Sequence, residues 1–358
     1  MPGLILANGQ NTSRRWSGSE TTLFLRFILM VKHVAIIGLG SIGRRHLRLV
    51  KELIPEINII AVRSNKGNNV DEEKLVDTVY FSLRDAIGAG IQAAVIATPA
   101  ICHVIQAKQL MEAGVHVLVE KPLSHSMENV NELMNINQKS GAVGLVGYCL
   151  RYDPAALKFK EMLNDKKIGE IFHVTIDCGS YLPDWRPEQD YRQSVSAIKE
   201  LGGGVLLELS HELDYIRWFF RDIKNVYANI QNSGALDINV EDSADIIFES
   251  EPGFPVSVHL DFNSRNTRRK SIARCTNGDI IWDAVANKVI WLPANGSAEL
   301  ETYTNDRDYI YKEQLKHFFD CIENKKPPSV SIHDGVAVLH MIDSIKKSHK
   351  IGEKVALA

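Results

Sequence analysis

The sequence has few cysteines, no long run of one charge and no long hydrophobic run. Its five cysteines lie far apart in the chain, as Cys102, Cys149, Cys178, Cys275 and Cys321. None forms a C-x-x-C pair, so we expect no metal site and a reduced, cytoplasmic setting. With 41 Lys+Arg against 44 Asp+Glu the net charge is -3. A nucleic-acid partner is therefore not expected, because phosphate backbones are bound by concentrated positive charge.

The first 30 residues differ from the rest of the chain. They show no helical or strand periodicity, and their longest apolar run, Leu23 to Val31, is interrupted by an arginine. That run is about half of the ~20 residues that a membrane helix needs. Arg14 and Arg15 come too late for a signal peptide. We expect residues 1–30 to be a disordered or artefactual leader, and we expect no membrane association.

A glycine-rich turn follows the first apolar strand. The run Val34 to Ile37 leads directly into a G-x-G-x-x-G motif, and Leu47 and Val50 then begin a helical pattern. Glycines in this setting allow a tight turn, close backbone approach to a pyrophosphate and close helix packing. The helix N-terminus adds free N–H groups and a positive dipole end. A dinucleotide site is therefore predicted at Gly38, Gly40, Ser41, Ile42 and Gly43.

Strand and helix patterns then alternate up to about residue 150, which indicates a parallel sheet. Further strands are predicted over 57–62, 78–81, 93–97, 115–120 and 142–148. The fold class is therefore α/β, with an N-terminal Rossmann dinucleotide-binding domain. We predict this domain over 31–150, an α+β domain for substrate binding and oligomerisation over 151–332, and a C-terminal helix packing back on the Rossmann domain over 333–358.

The C-terminal half shows period-two alternation, clearest from Val256 to Phe262. Such runs are typical of half-buried strands in a large, mostly antiparallel open sheet. The other predicted runs cover 171–178, 226–230, 244–248 and 280–291. A small basic cluster consists of Arg265, Arg268, Arg269 and Lys270. We interpret it as a solvated strand end, with a phosphate site as the alternative.

The end of the second strand normally distinguishes NAD from NADP. An acidic residue about 20 positions after the glycines would accept the ribose 2′-hydroxyl of NAD. Here the sequence reads Arg63-Ser64-Asn65-Lys66, which contains no carboxylate to repel a 2′-phosphate. Arg63 and Lys66 could pair with that phosphate, and Ser64 could hydrogen-bond it. The sequence thus favours NADP over NAD, while NAD binding through the pyrophosphate stays open.

Five short motifs coincide in order and spacing with a known family. They are the glycine motif 38–43, Ala97-Thr98-Pro99 followed by His103, Glu120-Lys121-Pro122, the segment GYCLRY over 147–152, and the triple glycine 202–204 before a histidine-bearing segment. On these motifs the chain resembles the Gfo/Idh/MocA oxidoreductases. The resemblance implies NAD(P)-dependent chemistry, mainly on sugars, cyclitols and their derivatives.

The resemblance also implies roles for individual residues. Thr98, Pro99 and His103 would contribute to the cofactor pocket, and Glu120 would lie near the nicotinamide ribose. Lys121 would lie near both the cofactor and the reacting hydroxyl, where it needs a pKa lowered by burial or by a neighbouring cation. Without the motif, Lys121 would be interpreted as a surface lysine that ends a strand.

The second catalytic group is expected after the triple glycine. If this segment forms one helix, Glu208, His211 and Asp214 share a face, and the carboxylates could fix the histidine tautomer. His211 is therefore predicted to be catalytic together with Lys121. Glu208 is the weaker catalytic candidate, because many family members have an Asp four residues before the histidine, whereas Glu208 lies three before His211.

Substrate contacts are expected from the domain junction and from the segment YLPDWRP over 181–187. Aromatic and charged side chains of this kind can stack on a sugar ring and hydrogen-bond its hydroxyls, although a structural loop would have the same composition. The predicted substrate-binding residues are Tyr148, Arg151, Tyr181, Trp185, Arg186, Tyr191, Arg192 and Asp214. The segment also resembles the subgroup associated with bacterial surface-polysaccharide sugars, including nonulosonic acids.

These observations predict hydride transfer between nicotinamide C4 and a carbinol or ketone of a sugar-type substrate. As in the family, the C-terminal sheet is expected to support a homodimer or homotetramer. Two alternatives stay open. One is a glycosidase or lyase that oxidises its substrate transiently with tightly bound NAD, and the other is a nonenzymatic NAD(P)-binding sensor.

Overall fold

Two β-sheets organise the chain. The computed structural model describes residues 31–64, 70–221 and 223–357, so the predicted leader and Lys66 lie outside the described residues. Within these ranges no helix is long and apolar enough to cross a membrane. All five cysteines lie there as free thiols.

The first sheet is parallel throughout, with strand order β3-β2-β1-β4-β5-β6. Its strands are β1 His33–Ile37, β2 Asn58–Val62, β3 Thr78–Tyr80, β4 Ala93–Ile96, β5 His116–Val119 and β6 Gly144–Val146. The central strands are apolar along their length because helices cover both faces of the sheet. This is the doubly wound order, and it confirms the predicted Rossmann arrangement.

Helices from both ends of the chain cover the first sheet. Those that follow its strands are α1 Ser41–Leu53, α2 Leu83–Gly88, α3 Ala100–Glu112 and α4 Val130–Ser140. A later helix, α8 (Tyr309–Asn324), buries Leu315 and Phe318 in the same core cluster as Ile36 and Leu47. The chain therefore returns to the first sheet before residue 333, earlier than the sequence analysis expects.

The second sheet has nine strands in the order β14-β13-β12-β11-β7-β10-β9-β8-β15. These are β7 Ile171–Gly179, β8 Ile223–Gln231, β9 Ser243–Ser250, β10 Pro255–Asp261, β11 Arg268–Cys275, β12 Gly278–Asp283, β13 Lys288–Pro293, β14 Glu299–Thr302 and β15 Val355–Ala356. Only the β7–β10 pair is parallel. The predicted mostly antiparallel sheet is confirmed.

Two details of this sheet differ from the prediction. The run 280–291 is two strands, because the chain turns between β12 and β13, where Asn287 has a positive φ of 48°. The basic cluster is not merely a strand end, since Arg268 begins β11, which pairs with both β7 and β12. The buried side chains of β11 are the small residues Ser271, Ala273 and Cys275, which give a weak apolar signal.

The helices associated with the second sheet are α5 Pro154–Leu163, α6 Val205–Glu208, α7 His211–Phe220 and α9 Ile332–Ile351. The terminal helix α9 touches both sheets. Near its start, Gly335 lies against Leu123 and Val146 of the first domain. Near its end, the Ser348 hydroxyl accepts a hydrogen bond of 3.1 Å from the Ala228 amide of β8. The helix thus packs back on the Rossmann domain, as expected, and also supports the second sheet.

A buried ion pair joins the junction between the sheets to two of these helices. The Arg151 guanidinium donates to both carboxylate oxygens of Asp214 on α7, at 2.9 and 2.6 Å. It also donates to the Ser329 carbonyl at 2.9 Å and to Asp334 of α9 at 3.3 Å. Only 7% of the Arg151 side chain and 2% of the Asp214 side chain are exposed. These two predicted substrate ligands are therefore bound to each other.

Replacing Arg151 with Met is expected to destabilise the protein by about 3–5 kcal/mol, because Asp214 would keep a buried charge without its partner. Denaturant unfolding followed by circular dichroism measures the change. Arg192→Met is the control, since its pair with Asp190 is exposed and such surface pairs contribute little to stability. Equal effects of the two substitutions would contradict the structural role of Arg151.

Candidate active site

The glycine motif forms an open turn at the carboxyl end of β1. Gly38 has a φ of +88°, and a Cβ there would lie 2.9 Å from the Ala97 carbonyl oxygen. A Cβ on Gly43 would lie 1.9 Å from the Gly38 oxygen, whereas one on Gly40 would meet nothing within 4 Å. No side chain caps the first turn of α1, so its N–H groups are available. The backbone therefore fits the pyrophosphate of a dinucleotide, as predicted.

The next strand end is braced by a histidine. The Thr98 hydroxyl donates to Gln106 at 2.7 Å. His103 is 1% exposed. Its Nε2 lies 2.8 Å from the main-chain oxygen of Thr98, and its Nδ1 lies 2.9 Å from the main-chain oxygen of Pro122. Burial lowers the pKa of His103, whereas the two carbonyl contacts act in the opposite direction. Its side chain therefore links the ends of β4 and β5, and any part it has in cofactor binding is indirect.

Glu120 follows β5, and a hydrogen bond from helix α1 holds its carboxylate. Its Oε1 accepts a hydrogen bond of 2.6 Å from Nε2 of His46, which lies on α1 and is fully buried. Its other oxygen lies 3.2 Å from the Lys121 amide nitrogen. The Glu120 carboxylate thus connects helix α1, which follows the glycine turn, to the end of β5, where Lys121 lies. His46 was not among the predicted site residues. Its position next to the buried Leu47 is the sequence feature that could have indicated a buried histidine here.

The end of β2 carries a carboxylate that the sequence did not suggest. Nη1 of Arg63 donates to Oε1 of Glu73 at 2.5 Å. Glu73 lies in a 3₁₀ turn over Asp71–Leu75, ten positions after Arg63. The premise that no carboxylate stands beside this strand end is therefore wrong. Ser64 follows at an exposed position.

Lys121 reaches from the first domain to the second. Its Nζ donates to the main-chain oxygen of Glu208 at 2.8 Å and lies 3.8 Å from the Glu208 carboxylate. About a fifth of each side chain is exposed. Lys121 is therefore not a free surface lysine but a partly buried one, held at the end of α6. The structure brings together Lys121 and Glu208, both predicted catalytic residues.

His211 begins α7 and faces the same region. The segment is not one helix, because α6 ends at Glu208 and α7 begins at His211. Buried Nδ1 of His211 has no hydrogen-bond partner among the described residues. Asp214 is bound to Arg151 instead, so the predicted carboxylate support of the histidine is wrong. Burial, followed by the charges of Lys121 and Arg269, lowers the pKa of His211 well below its ordinary value.

These groups line a cleft of about 620 Å³. Lys121, Glu208 and His211 form one side of it, and Trp185 is the predicted substrate residue that reaches it. The Trp185 indole donates to the Ser180 hydroxyl at 2.7 Å and packs edge-on against Phe262. The cleft therefore holds the predicted catalytic residues beside an aromatic side chain.

The other predicted substrate residues do not line the cleft. The Tyr148 ring is buried and packs edge-on against His211 at 5.6 Å, so it positions the histidine. Tyr181 lies under the Arg265 guanidinium, and the Tyr191 hydroxyl donates to the Leu236 carbonyl at 2.9 Å. The exposed residues Arg186 and Arg192 also lie outside the lining.

Two arginines of the basic cluster reach the cleft, which the sequence analysis did not predict. Arg269 is held by the fully buried Glu212, with Nε 2.8 Å from Oε1. Arg268 pairs with Asp177 at 2.8 Å and with Asp261 at 3.3 Å. Cleft residues from later loops were also missed: Ala284, Val285, Asn287, Asn305, Asp306 and Arg307. Consecutive arginines at the start of a strand were the only local signal.

A lysine and a histidine that line one cleft, in a chain whose first sheet carries a glycine turn of dinucleotide-binding shape, are the features of a nicotinamide-dependent oxidoreductase. The sequence agrees with this class. Residues 32–148 match the oxidoreductase family with the NAD-binding Rossmann fold, and residues 156–281 match the Gfo/Idh/MocA C-terminal domain. The chain belongs to the Gfo/Idh/MocA family, as its motifs predicted.

Several curated proteins are similar to this chain. D-xylose 1-dehydrogenase (NADP(+)) 2 of Haloferax volcanii is 23% identical, with 90% of this chain and 98% of that protein covered. Myo-inositol 2-dehydrogenase of Thermotoga maritima is 24% identical, with 88% and 95% covered. A 2,7-anhydro-N-acetylneuraminate hydratase of Mediterraneibacter gnavus is 29% identical over 191 residues. That last match spans 51% of this chain and about half, 48%, of the relative.

Solved structures share the fold. Levoglucosan dehydrogenase in complex with NADH has a TM-score of 0.82 at 19% identity, covering 91% of this chain and 99% of that chain. The WlbA dehydrogenase of Bordetella pertussis, in complex with NADH and UDP-GlcNAcA, has a TM-score of 0.77 at 20% identity, covering 91% and 96%. At these identities the likeness establishes the two-domain architecture alone.

The lowered pKa of His211 predicts a pH-dependent stability difference. Below about pH 6.5 the unfolded chain binds a proton at this histidine that the folded protein does not bind, so stability falls as pH falls. His211→Asn is expected to reduce the loss between pH 7 and 5, by at most about 1.4 kcal/mol per pH unit. Urea unfolding at each pH measures it, with His340→Asn at an exposed position of α9 as the control. Parallel curves for wild type and His211→Asn would contradict the assignment.

Proposed function

We propose that this oxidoreductase transfers a hydride between a nicotinamide cofactor and a CH–OH or C=O carbon of a sugar or sugar derivative. The observation that carries the proposal is the meeting of Lys121, Glu208 and His211 in one cleft at the carboxyl end of the Rossmann strands. Ligands of open α/β sheets bind at that edge. The D-xylose and myo-inositol dehydrogenases named above, each covered over most of its length, support a polyhydroxylated substrate.

The glycine turn, His211 and Lys121 have separate roles in the proposed reaction. A bound nicotinamide dinucleotide would supply the hydride chemistry. Gly38, Gly40 and the first turn of α1 would hold its pyrophosphate. The lowered pKa of His211 favours its neutral form, and that form has a ring nitrogen that can accept the proton of a substrate hydroxyl. Lys121 is anchored by one hydrogen bond to the main-chain oxygen of Glu208, and its other N–H groups can donate to the substrate oxygen. In the reverse direction His211 returns the proton to that oxygen.

Substrate recognition would come from the second domain. Trp185 offers an aromatic surface, while Arg268 and Arg269 offer donors. Asp177 and Asp261 hold Arg268, and the fully buried Glu212 holds Arg269. A substrate from bacterial surface-polysaccharide or nonulosonate biosynthesis is part of the proposal. The WlbA complex with UDP-GlcNAcA shows that the fold accommodates such a sugar in another protein.

A second function is favoured by one relative, the hydratase of Mediterraneibacter gnavus. In this alternative, NAD stays bound, oxidises the substrate transiently and is regenerated, so there is no net cofactor turnover. Native mass spectrometry of the purified protein separates the two. Retained, nonexchanging NAD would favour the alternative, whereas an empty site that exchanges added cofactor would favour an ordinary dehydrogenase.

The open face of the second sheet supports a proposed homodimer or homotetramer. One register row across it places Tyr227 beside Ile247, and Ile272, Ile281 and Ile290 continue the row at its other end. Tyr227 and Ile247 are about half exposed. A face of this kind is typical of an association surface.

A cytoplasmic location is also proposed, since the five cysteines are free thiols.

Replacing Lys121 with Met is expected to lower kcat/KM about 10²–10³-fold, because a preorganised donor to the reacting oxygen contributes about that much. Cofactor affinity should change little, since the Gly38 turn is untouched. Turnover is measured on the best substrate from a panel of sugars and cyclitols, and NADH binding by fluorescence. Lys108→Met is the matched control, a salt-bridged lysine on α3 outside the cleft. Near-normal turnover in Lys121→Met would refute the role.

A further inference from the structure

We propose that Glu73 makes the protein selective for NAD over NADP by binding Arg63, the side chain that would otherwise bind a 2′-phosphate. This inference rests on the proposed use of a nicotinamide dinucleotide. It reverses the preference that the sequence at the end of β2 suggests, because the decisive carboxylate comes from a different element.

The position of Arg63 makes it relevant to the adenosine end of the cofactor. It directly follows Val62, the last residue of β2, and its amide donates to the Tyr80 carbonyl at 2.9 Å. In doubly wound folds this strand end meets the ribose 2′ position, where an arginine accommodates a 2′-phosphate. Arg63 is therefore the residue among the described ones at this strand end whose charge would favour NADP.

Glu73 is a fixed partner of Arg63. Its Oε1 accepts hydrogen bonds from Nη1 of Arg63 at 2.5 Å and from the Val70 amide at 2.9 Å. The Glu73 amide in turn donates to the Val70 carbonyl at 3.1 Å. Both ionic side chains are largely shielded, with 12% of Arg63 and 22% of Glu73 exposed. The carboxylate thus stays beside the strand end through contacts that do not involve Arg63.

This arrangement opposes a 2′-phosphate in two ways. A phosphate must compete with a carboxylate that already holds the guanidinium. It must also approach the negative charge of Glu73, which the short Val70 contacts keep in place. A ribose 2′-hydroxyl carries no charge and can donate a hydrogen bond to a carboxylate, so NAD meets neither obstacle.

Fluorescence titration with NADH and NADPH tests this directly, without a substrate. Wild type is expected to bind NADH more tightly. Glu73→Gln keeps an oxygen for the Val70 amide but removes the charge, and should strengthen NADPH binding about threefold to fivefold, the upper range for a surface ion pair. NADH binding should change less than about twofold. Adding Arg63→Ala to Glu73→Gln should abolish the gain, because the phosphate partner is then absent.

Asp71→Asn is the matched control. It makes the same charge change in the same 3₁₀ turn at an exposed position. Thermal unfolding of each variant verifies that it is folded. The single variant Arg63→Ala should leave NADPH binding as weak as in wild type.

Three outcomes would overturn the inference: tighter NADPH than NADH binding by wild type, an unchanged ratio in Glu73→Gln, or the same gain in Asp71→Asn. Binding of both cofactors with an unchanged ratio contradicts only the role of Glu73. Failure of the wild type to bind either cofactor contradicts the proposed function as well.

Discussion

The buried charge of Arg151 is the constraint on which the two-domain arrangement depends. A guanidinium that is 7% exposed has lost most of its hydration, and that cost is offset only if carboxylates and carbonyls surround it. Asp214, Asp334 and the Ser329 carbonyl meet this requirement from α7 and from the start of α9. Because Asp214 lies one turn after His211, the same ion pair fixes where the proposed base faces the cleft.

The opposite side of the cleft is held by a different kind of contact. Lys121 is anchored to a main-chain oxygen, that of Glu208, and a carbonyl acceptor does not titrate. The backbone therefore makes the closer contact with the ammonium group, and the Glu208 carboxylate lies farther away at 3.8 Å. The difference between Asp and Glu at this point of the family motif thus matters less than the sequence suggests, since the backbone makes the closer contact. Preorganised donors of this type are what proton transfer and oxyanion stabilisation require.

Local signals predicted the features that depend on neighbours in the chain. Strand periodicity located the first sheet, and the glycine motif located a turn whose Gly43 has no room for a Cβ. Charged side chains were different, because a sequence shows their sign but not their partner. Arg151 and Asp214 were expected to meet a substrate and instead meet each other. Arg269 was expected in solvent and instead lines the cleft, since its fully buried partner Glu212 lies 57 positions away.

Chemistry and recognition are carried by separate parts of the molecule. The proposed proton-transfer groups stand at the ends of β5 and α6 and at the start of α7, where the Lys121–Glu208 contact and the Arg151 ion pair hold them. Much of the remaining cleft lining comes from loops: the turn at Trp185, the β12–β13 hairpin and the segment 305–307. Exposed loops tolerate sequence change far better than buried ion pairs. Substitutions in these loops can therefore change which polyol enters while the distances between Lys121, Glu208 and His211 stay the same, which accounts physically for relatives of one architecture with different named substrates.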